Sequence, residues 1–255
     1  MPSEFYPLTL ALMAAASAGL VGAFALMKRT VLAGDVMSHI AIPGIGLAAI
    51  WRINPLAGAG LTLFAGILII WQLQKKTELS SEAAIGVIFA SSVAVGALLI
   101  NSKEELVDAL FGGFEHISQM EFLFGMAASV LVILSLWFLR NKLIIALFSP
   151  ELASSANVHV DRVNLWFLLI FGLTILSSLP FLGALLVGSL IIIPAAVGRQ
   201  LSHTLGTFLL LSCLASVLSV ALGFTIAPLY HLALGPTIVT IATIFFALSL
   251  LKKKK

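Results

Sequence analysis

The sequence predicts an all-α membrane protein, a polytopic helical bundle of about eight to nine transmembrane helices. Hydrophobic residues make up 60% of the 255 residues and charged residues only 10%, and the mean hydropathy is +1.14. Soluble domains carry far more charge, about a quarter of their residues. The chain also divides, at its charges and its Pro, Gly and Asn clusters, into apolar runs of roughly 20 residues, the length that crosses a bilayer.

Nine apolar segments are predicted to be membrane helices. Charged or turn-forming residues separate them, and the shortest separation is the LPFLG stretch between the sixth and the seventh. Small residues at helical spacing, as in ALMAAASAGLVGAFA, favour close helix packing in lipid. The predicted segments are 7–27, 34–51, 55–74, 82–100, 121–139, 164–180, 182–198, 205–229 and 234–251.

The basic residues predict how the helices are oriented. When alternate loops are assigned to the cytoplasm, all of the 14 Lys and Arg residues except Arg52 and Lys103 lie inside. Cytoplasmic loops of membrane proteins carry such an excess of Lys and Arg. The sequence therefore predicts an outer N-terminus and an inner C-terminus.

Two connections are too long to be simple turns. Residues 101–120 form the predicted outer loop, and their pattern is compatible with a short amphipathic helix on the membrane surface. The inner connection contains Ser149, Pro150 and Glu151, a helix-start signal with proline at the first helical position. It predicts a short cytoplasmic helix that docks on a partner. The chain has no GxxxxGK[ST] motif, so it is not expected to be an enzyme that hydrolyses ATP.

Asp35 and His39 are the ionisable pair that the sequence places inside a membrane segment. A charge near the bilayer centre costs about 2.5 to 3.5 kcal/mol on insertion scales, so such residues normally face a cavity or a partner. The four-residue spacing puts both side chains, with Ser38, on one helical face. A carboxylate and an imidazole presented together suit a divalent first-row metal such as Zn²⁺ or Mn²⁺. The other reading of the pair is a hydrogen-bonded couple with a structural role.

Pro43 adds a third potential ligand to this pair. Proline has no N–H, so the carbonyl of His39, four residues earlier, lacks its helical donor. We predict that this carbonyl lies free beside the imidazole. Two side chains are fewer than the four ligands of a structural zinc site, and a site that must release its ion is expected to be incomplete.

The stretch LMKRTVLAGDVMSHIAIPGIGLA resembles the signature of the ABC-transporter permeases for zinc, manganese and iron. In that signature a basic pair precedes a G-D-x-x-S/A-H-x-x-x-P-G segment. The likeness continues along nearly the whole chain, in order, in EAAIGVIFASSVAVGALLI, ALFGG, SPELA, LGALLVGSLIIIPAAVGRQL and GPTIV.

The resemblance implies one transmembrane permease domain over residues 1–255, in the plasma (inner) membrane of a prokaryote. It implies a homodimer of permeases, a pair of cytoplasmic ATP-binding cassette subunits and an extracytoplasmic metal-binding protein that delivers the ion. Lipid surrounds such a permease, and no nucleic acid is expected as a partner. The metal ion, Zn, Mn or Fe, is then the transported substrate, and no permanently bound cofactor is expected.

The resemblance also implies roles for particular residues. Asp35 and His39 match the residues that line the metal site of the family. The region at about 149–160, with Ser149, Pro150, Glu151 and Leu152 at its start, matches the coupling helix that docks on the ATPase.

Glu115 and His116 stand where relatives often have an aspartate after the glycine, on the predicted outer side. They are candidates for an outer site that receives the ion. An alternative function is a secondary metal transporter driven by an ion gradient, in which Asp35 and His39 relay protons.

Overall fold

In the computed structural model, the described part of the chain is mostly helical, and no strand occurs in that part. The described residues are 6–30, 32–76, 81–100, 107, 110–112, 118–148, 153, 155–156 and 158–251. The helices are α1 (Tyr6–Met27), α2 (Leu32–His39), α3 (Ile42–Trp51), α4 (Pro55–Lys76), α5 (Ser81–Leu99), α6 (Gln119–Phe148), α7 (Val160–Leu201), α8 (Leu205–Leu229) and α9 (Leu234–Leu250).

Seven helical segments of the described chain are long and apolar enough to cross a membrane. Two further apolar helices, Ala83–Leu99 and Leu234–Leu250, are shorter. Together they correspond to the nine predicted segments. The predicted fold class, an all-α polytopic membrane bundle, is confirmed.

The predicted span 34–51 consists of two short helices rather than one. At the end of α2, the N–H groups of Ile40 and Ala41 bond three residues back, to the carbonyls of Met37 and Ser38. Helix α3 then begins with Pro43 in its first turn, where the missing N–H is tolerated. The regular α-helical bonding is therefore interrupted immediately after His39.

Helix α6 is longer than the predicted segment 121–139 and ends at Phe148. The prediction ended the segment at residue 139 because the charge of Arg140 marks the end of the apolar run. Arg and Lys are good helix formers, so the charge ends the apolar run without ending the helix. The Arg140 guanidinium stacks on the ring of Trp137, at 4.3 Å from its centroid.

Helix α7 begins at Val160, four residues before the predicted start, and is interrupted at Gly183 (φ 63°, ψ 172°). The interruption separates the two predicted spans, here Val160–Pro180 and Leu182–Leu201. Phe171 from the first half and Ile191 from the second half both lie beside Gly34 of α2. The chain therefore reverses near Gly183, and both halves of α7 flank α2.

Helix α1 lies in the middle of the bundle and packs against α6, both halves of α7 and α8. Its glycines allow the closest approaches: a Cβ on Gly19 would lie 2.6 Å from the Ser212 carbonyl oxygen, and one on Gly22 would overlap the Ile191 carbonyl oxygen. Glycine is required where two backbones approach this closely. The Gly22 contact fixes the second half of α7, against which α2 lies.

Candidate metal centre

Helix α2 carries the two predicted metal ligands within eight residues. Asp35 lies in its first turn and His39 is its last residue. A carboxylate in the first turn of a helix interacts favourably with the helix dipole. Both side chains are partly exposed, whereas Ser38 between them is fully buried. The pair is therefore accessible to an ion from one side of α2.

The imidazole of His39 is held in one tautomer by the backbone. Its Nδ1 lies 2.8 Å from the carbonyl oxygen of Asp35. A carbonyl only accepts hydrogen bonds, so Nδ1 carries the proton and donates it. In the neutral ring, Nε2 then holds the free lone pair that a metal ion binds.

The hydroxyl of Ser38 fastens α2 to the second half of α7. Its oxygen lies 2.7 Å from the Asp35 carbonyl oxygen and 2.5 Å from the Ala184 carbonyl oxygen. Because a hydroxyl has a single proton, both carbonyls share it. The backbone carbonyl of Asp35 thus accepts hydrogen bonds from Ser38 and from His39. The side-chain carboxylate of Asp35 receives no hydrogen bond from any described residue.

Helix α5 closes one side of the histidine. The rings of His39 and Phe89 meet edge to face, with their centroids 5.2 Å apart and an interplanar angle of 71°. This contact restricts rotation of the imidazole. The face of α5 away from α3 is exposed, with Val87 at 57% and Leu98 at 81%.

Gly44 and Gly46, which follow Pro43, allow the close helix approach that the sequence predicts. Gly44 touches the backbone of Gly58 in α4, and a Cβ on Gly46 would lie 2.8 Å from Leu99 Cβ. Helix α3 is thereby held between α4 and the end of α5. The described contacts do not involve the His39 carbonyl, so its role as a metal ligand stays a prediction.

The described residues contain no group of three or more His, Cys, Asp or Glu side chains arranged to hold a metal ion. Asp35 and His39 therefore form a pair without a third such side chain from the described parts of the same chain. The other predicted site residues, Glu115, His116, Ser149, Pro150, Glu151 and Leu152, lie outside the described residues.

Lys28 is a partly buried cation that sequence reasoning treats as an ordinary loop residue. Its Nζ donates to Asn164 Oδ1 at 2.6 Å and lies 4.7 Å from the centroid of the Phe167 ring. Burial lowers the pKa of Lys28 to about 8. The basic pair at the start of the motif was the available sequence signal, and it indicates charge without indicating burial.

Comparison with known proteins identifies the family of this chain. The sequence profile described as "ABC 3 transport family" matches residues 5–253. The chain belongs to the ABC 3 transport family. The match spans nearly every residue, and the family resemblance seen in the sequence motifs is confirmed.

Relatives in the ABC 3 transport family have named roles. The chain is 30% identical over 240 residues to the high-affinity zinc uptake system membrane protein ZnuB of Haemophilus influenzae, covering 92% of each protein. It is 29% identical to the manganese import system permease protein ScaB of Streptococcus parasanguinis, covering 91% of this chain and 84% of that one.

A solved structure has the same fold. It is PsaBC from Streptococcus pneumoniae in complex with Fab, with a TM-score of 0.84 and 26% sequence identity, covering 95% of this chain and 89% of that chain.

Proposed function

We propose that this chain is the permease subunit of an ATP-binding cassette importer for a divalent transition metal, zinc or manganese, with Asp35 and His39 as its metal site. The single observation that carries the proposal is the bond from His39 Nδ1 to the Asp35 carbonyl. It leaves Nε2 and the Asp35 carboxylate, one nitrogen and two oxygens, as free donors on one helix. The named zinc and manganese relatives support the same class of substrate.

The two donor side chains are too few to hold such an ion tightly. Zinc sites in proteins typically have four ligands, and Mn²⁺ prefers a larger set that is rich in oxygen. A homodimer with the path between its two copies adds a second Asp35 and His39. The exposed face of α5, directly behind the Phe89 ring that touches His39, supports this arrangement.

Transport follows an alternating-access cycle in this proposal. An extracytoplasmic binding protein releases the ion into the outer mouth, where Glu115 and His116 receive it. The ion then rests at Asp35 and His39. ATP hydrolysis on cytoplasmic partner subunits, transmitted through the coupling region at about 149–160, opens the inner side. The protein works in the plasma membrane of a prokaryote.

Uptake by cells or proteoliposomes that carry the complete transporter tests the site. We expect Asp35→Ala and His39→Ala to abolish uptake of radioactive zinc or manganese, because each removes one of two donor side chains. Assembly with the ATPase subunits, followed by co-purification, stays at the wild-type level. The matched control is His203→Ala, which removes an exposed histidine outside the spans. Normal uptake by both site variants would contradict the proposal.

A further inference from the structure

The face of α7 that supports the metal pair is built from two positions one turn apart. Ala184 and Gly188 are four residues apart in the second half of α7, so they lie on the same face. The Ala184 carbonyl binds the Ser38 hydroxyl. Gly188 lies against the next turn of α2, beside Asp35.

Gly188 has no room for a side chain. A Cβ at this position would lie 2.7 Å from Asp35 Cα and 2.9 Å from both Cβ and Oδ1 of the same residue. The optimal separation of non-bonded carbon atoms is about 3.5 to 4.0 Å, and real Cβ atoms essentially never come within 3.0 Å of another non-bonded heavy atom. The nearest atom belongs to the backbone of α2, so a change of rotamer alone does not relieve the overlap. Only glycine lets Asp35 occupy its place.

We propose that Gly188 is a positioning residue of the metal site: its missing Cβ determines where the Asp35 carboxylate stands relative to the His39 imidazole, and so sets the balance between zinc and manganese. The inference rests on the proposed function of Asp35 and His39. Ser38 is the second anchor, because its bond to Ala184 holds α2 at the same distance from α7.

A methyl group at Gly188 disturbs both the backbone and the carboxylate of Asp35. The first turn of α2 must move away from α7, because the overlap with Asp35 Cα remains in every rotamer, and the contact between Ser38 and Ala184 is then weakened. The carboxylate must also turn, since Oδ1 is among the overlapping atoms. Its position relative to the imidazole therefore changes, while His39, bonded within α2, keeps its tautomer. Mn²⁺ depends more on carboxylate oxygen and Zn²⁺ binds imidazole well, so manganese is affected more.

The test measures binding of Zn²⁺ and Mn²⁺ to the purified full-length chain by titration calorimetry, and its thermal midpoint without metal. We expect Gly188→Ala to weaken Mn²⁺ binding about tenfold, the scale of changes next to metal ligands, and Zn²⁺ binding less. The matched control is Gly19→Ala, whose Cβ meets Ser212 O at 2.6 Å and Cys213 Cα at 2.9 Å. It is expected to lower the thermal midpoint and leave both binding constants unchanged.

Ser38→Ala tests the same inference without adding any atom. It removes the link to Ala184 and is expected to weaken Mn²⁺ binding about tenfold as well. Its control is Ser17→Ala, which removes a buried hydroxyl that bonds only to Ala14 within α1. This pair keeps the inference testable if Gly188→Ala does not fold.

The outcomes separate the inference from the function on which it rests. If Gly188→Ala and Ser38→Ala bind both metals like the wild type while Asp35→Ala loses binding, the inference is wrong and the site assignment stands. If Gly19→Ala changes the metal preference as much as Gly188→Ala, the effect is one of general packing and the inference is also wrong. If Asp35→Ala and His39→Ala retain full binding, the proposed function itself fails.

Discussion

At the scale of single residues, the four-residue spacing of Asp35 and His39 determines much of the candidate site. The spacing places both residues on one helix face, and α2 carries them there. From Pro43 the sequence predicted only a missing hydrogen bond at the His39 carbonyl within one helix over 34–51, whereas α2 ends at His39. The hydrogen bond from His39 to the Asp35 backbone was not predicted. The alternative interpretation, a couple with a structural role, required a direct bond between the two side chains. The imidazole bonds to the backbone of Asp35 instead.

Lys28 shows what spacing and charge counting miss at this scale. The count of basic residues predicts that Lys28 lies in an inner loop, and nothing local indicates that its ammonium group packs against Phe167 with one amide partner. Burial depends on which helix packs against the end of α1. That helix is α7, which begins more than 130 residues later in the chain.

Because the pKa of the partly buried Lys28 is lowered, we expect the stability of the protein to depend on pH. Its pKa is lowered from 10.5 to about 8 in the folded protein, so the unfolded chain binds more protons between these values and stability rises with pH there. We expect the thermal midpoint of the wild type, relative to Lys28→Met, to increase from pH 7.5 to 10. Intrinsic-fluorescence melting of the purified protein measures it. Lys142→Met, at an exposed position of α6, is the control. An unchanged difference across this range would count against burial of the ammonium group.

At the scale of helices, the sequence predicted which helices exist and in what order, but it did not predict where some of them end. Apolar runs of membrane-spanning length identify α1 and α8 closely, because lipid selects for such runs. The extension of α6 beyond Arg140 was missed because helical backbone bonding continues past the apolar run. The weakest predicted boundary, LPFLG, is where α7 is interrupted at Gly183.

We expect the interruption of α7 to be sensitive to substitution of Gly183. Its φ of 63° and ψ of 172° lie in a region that is essentially restricted to glycine, where other residues cost about 1 to 3 kcal/mol. A Cβ there would also overlap the backbone of Leu110 and Gly112. Gly183→Ala is therefore expected to lower the thermal midpoint strongly. Gly206→Ala, with open space around its Cβ, is the control and is expected to melt like the wild type or slightly higher. Equal midpoints for the two variants would show that the strain is absent.

At the scale of the whole molecule, the surroundings of α5 are relevant to the proposed function. Among the described helices, α5 packs mainly against α2, α3 and α4, and its other face is exposed. This face lies behind Phe89, which contacts His39. If the path runs between two copies of the chain, as proposed above, we expect this face to meet the partner and lipid to cover the equally exposed face of α6.

Cysteine cross-linking distinguishes these two faces. In a Cys213→Ala background, Val87→Cys on α5 is expected to form a disulfide-linked dimer in membranes after mild oxidation. Leu131→Cys on α6 is the matched control, because the exposed fractions of Val87 and Leu131 are 57% and 56%, and it is expected to stay monomeric. Electrophoresis without reducing agent measures the result. Dimers from Leu131→Cys alone would place the interface on α6 and remove the argument for a path beside His39.

The sequence by itself determined the membrane class, the order of the helices and the Asp35 and His39 pair, because hydropathy, helical periodicity and proline chemistry act over a few residues. Only the tertiary structure decided what surrounds the pair. The Ser38 bond to Ala184 joins residues 146 positions apart, and the space opposite Asp35 exists because Gly188 lies there. Contacts between distant segments depend on how whole helices pack, and local sequence patterns do not specify that packing.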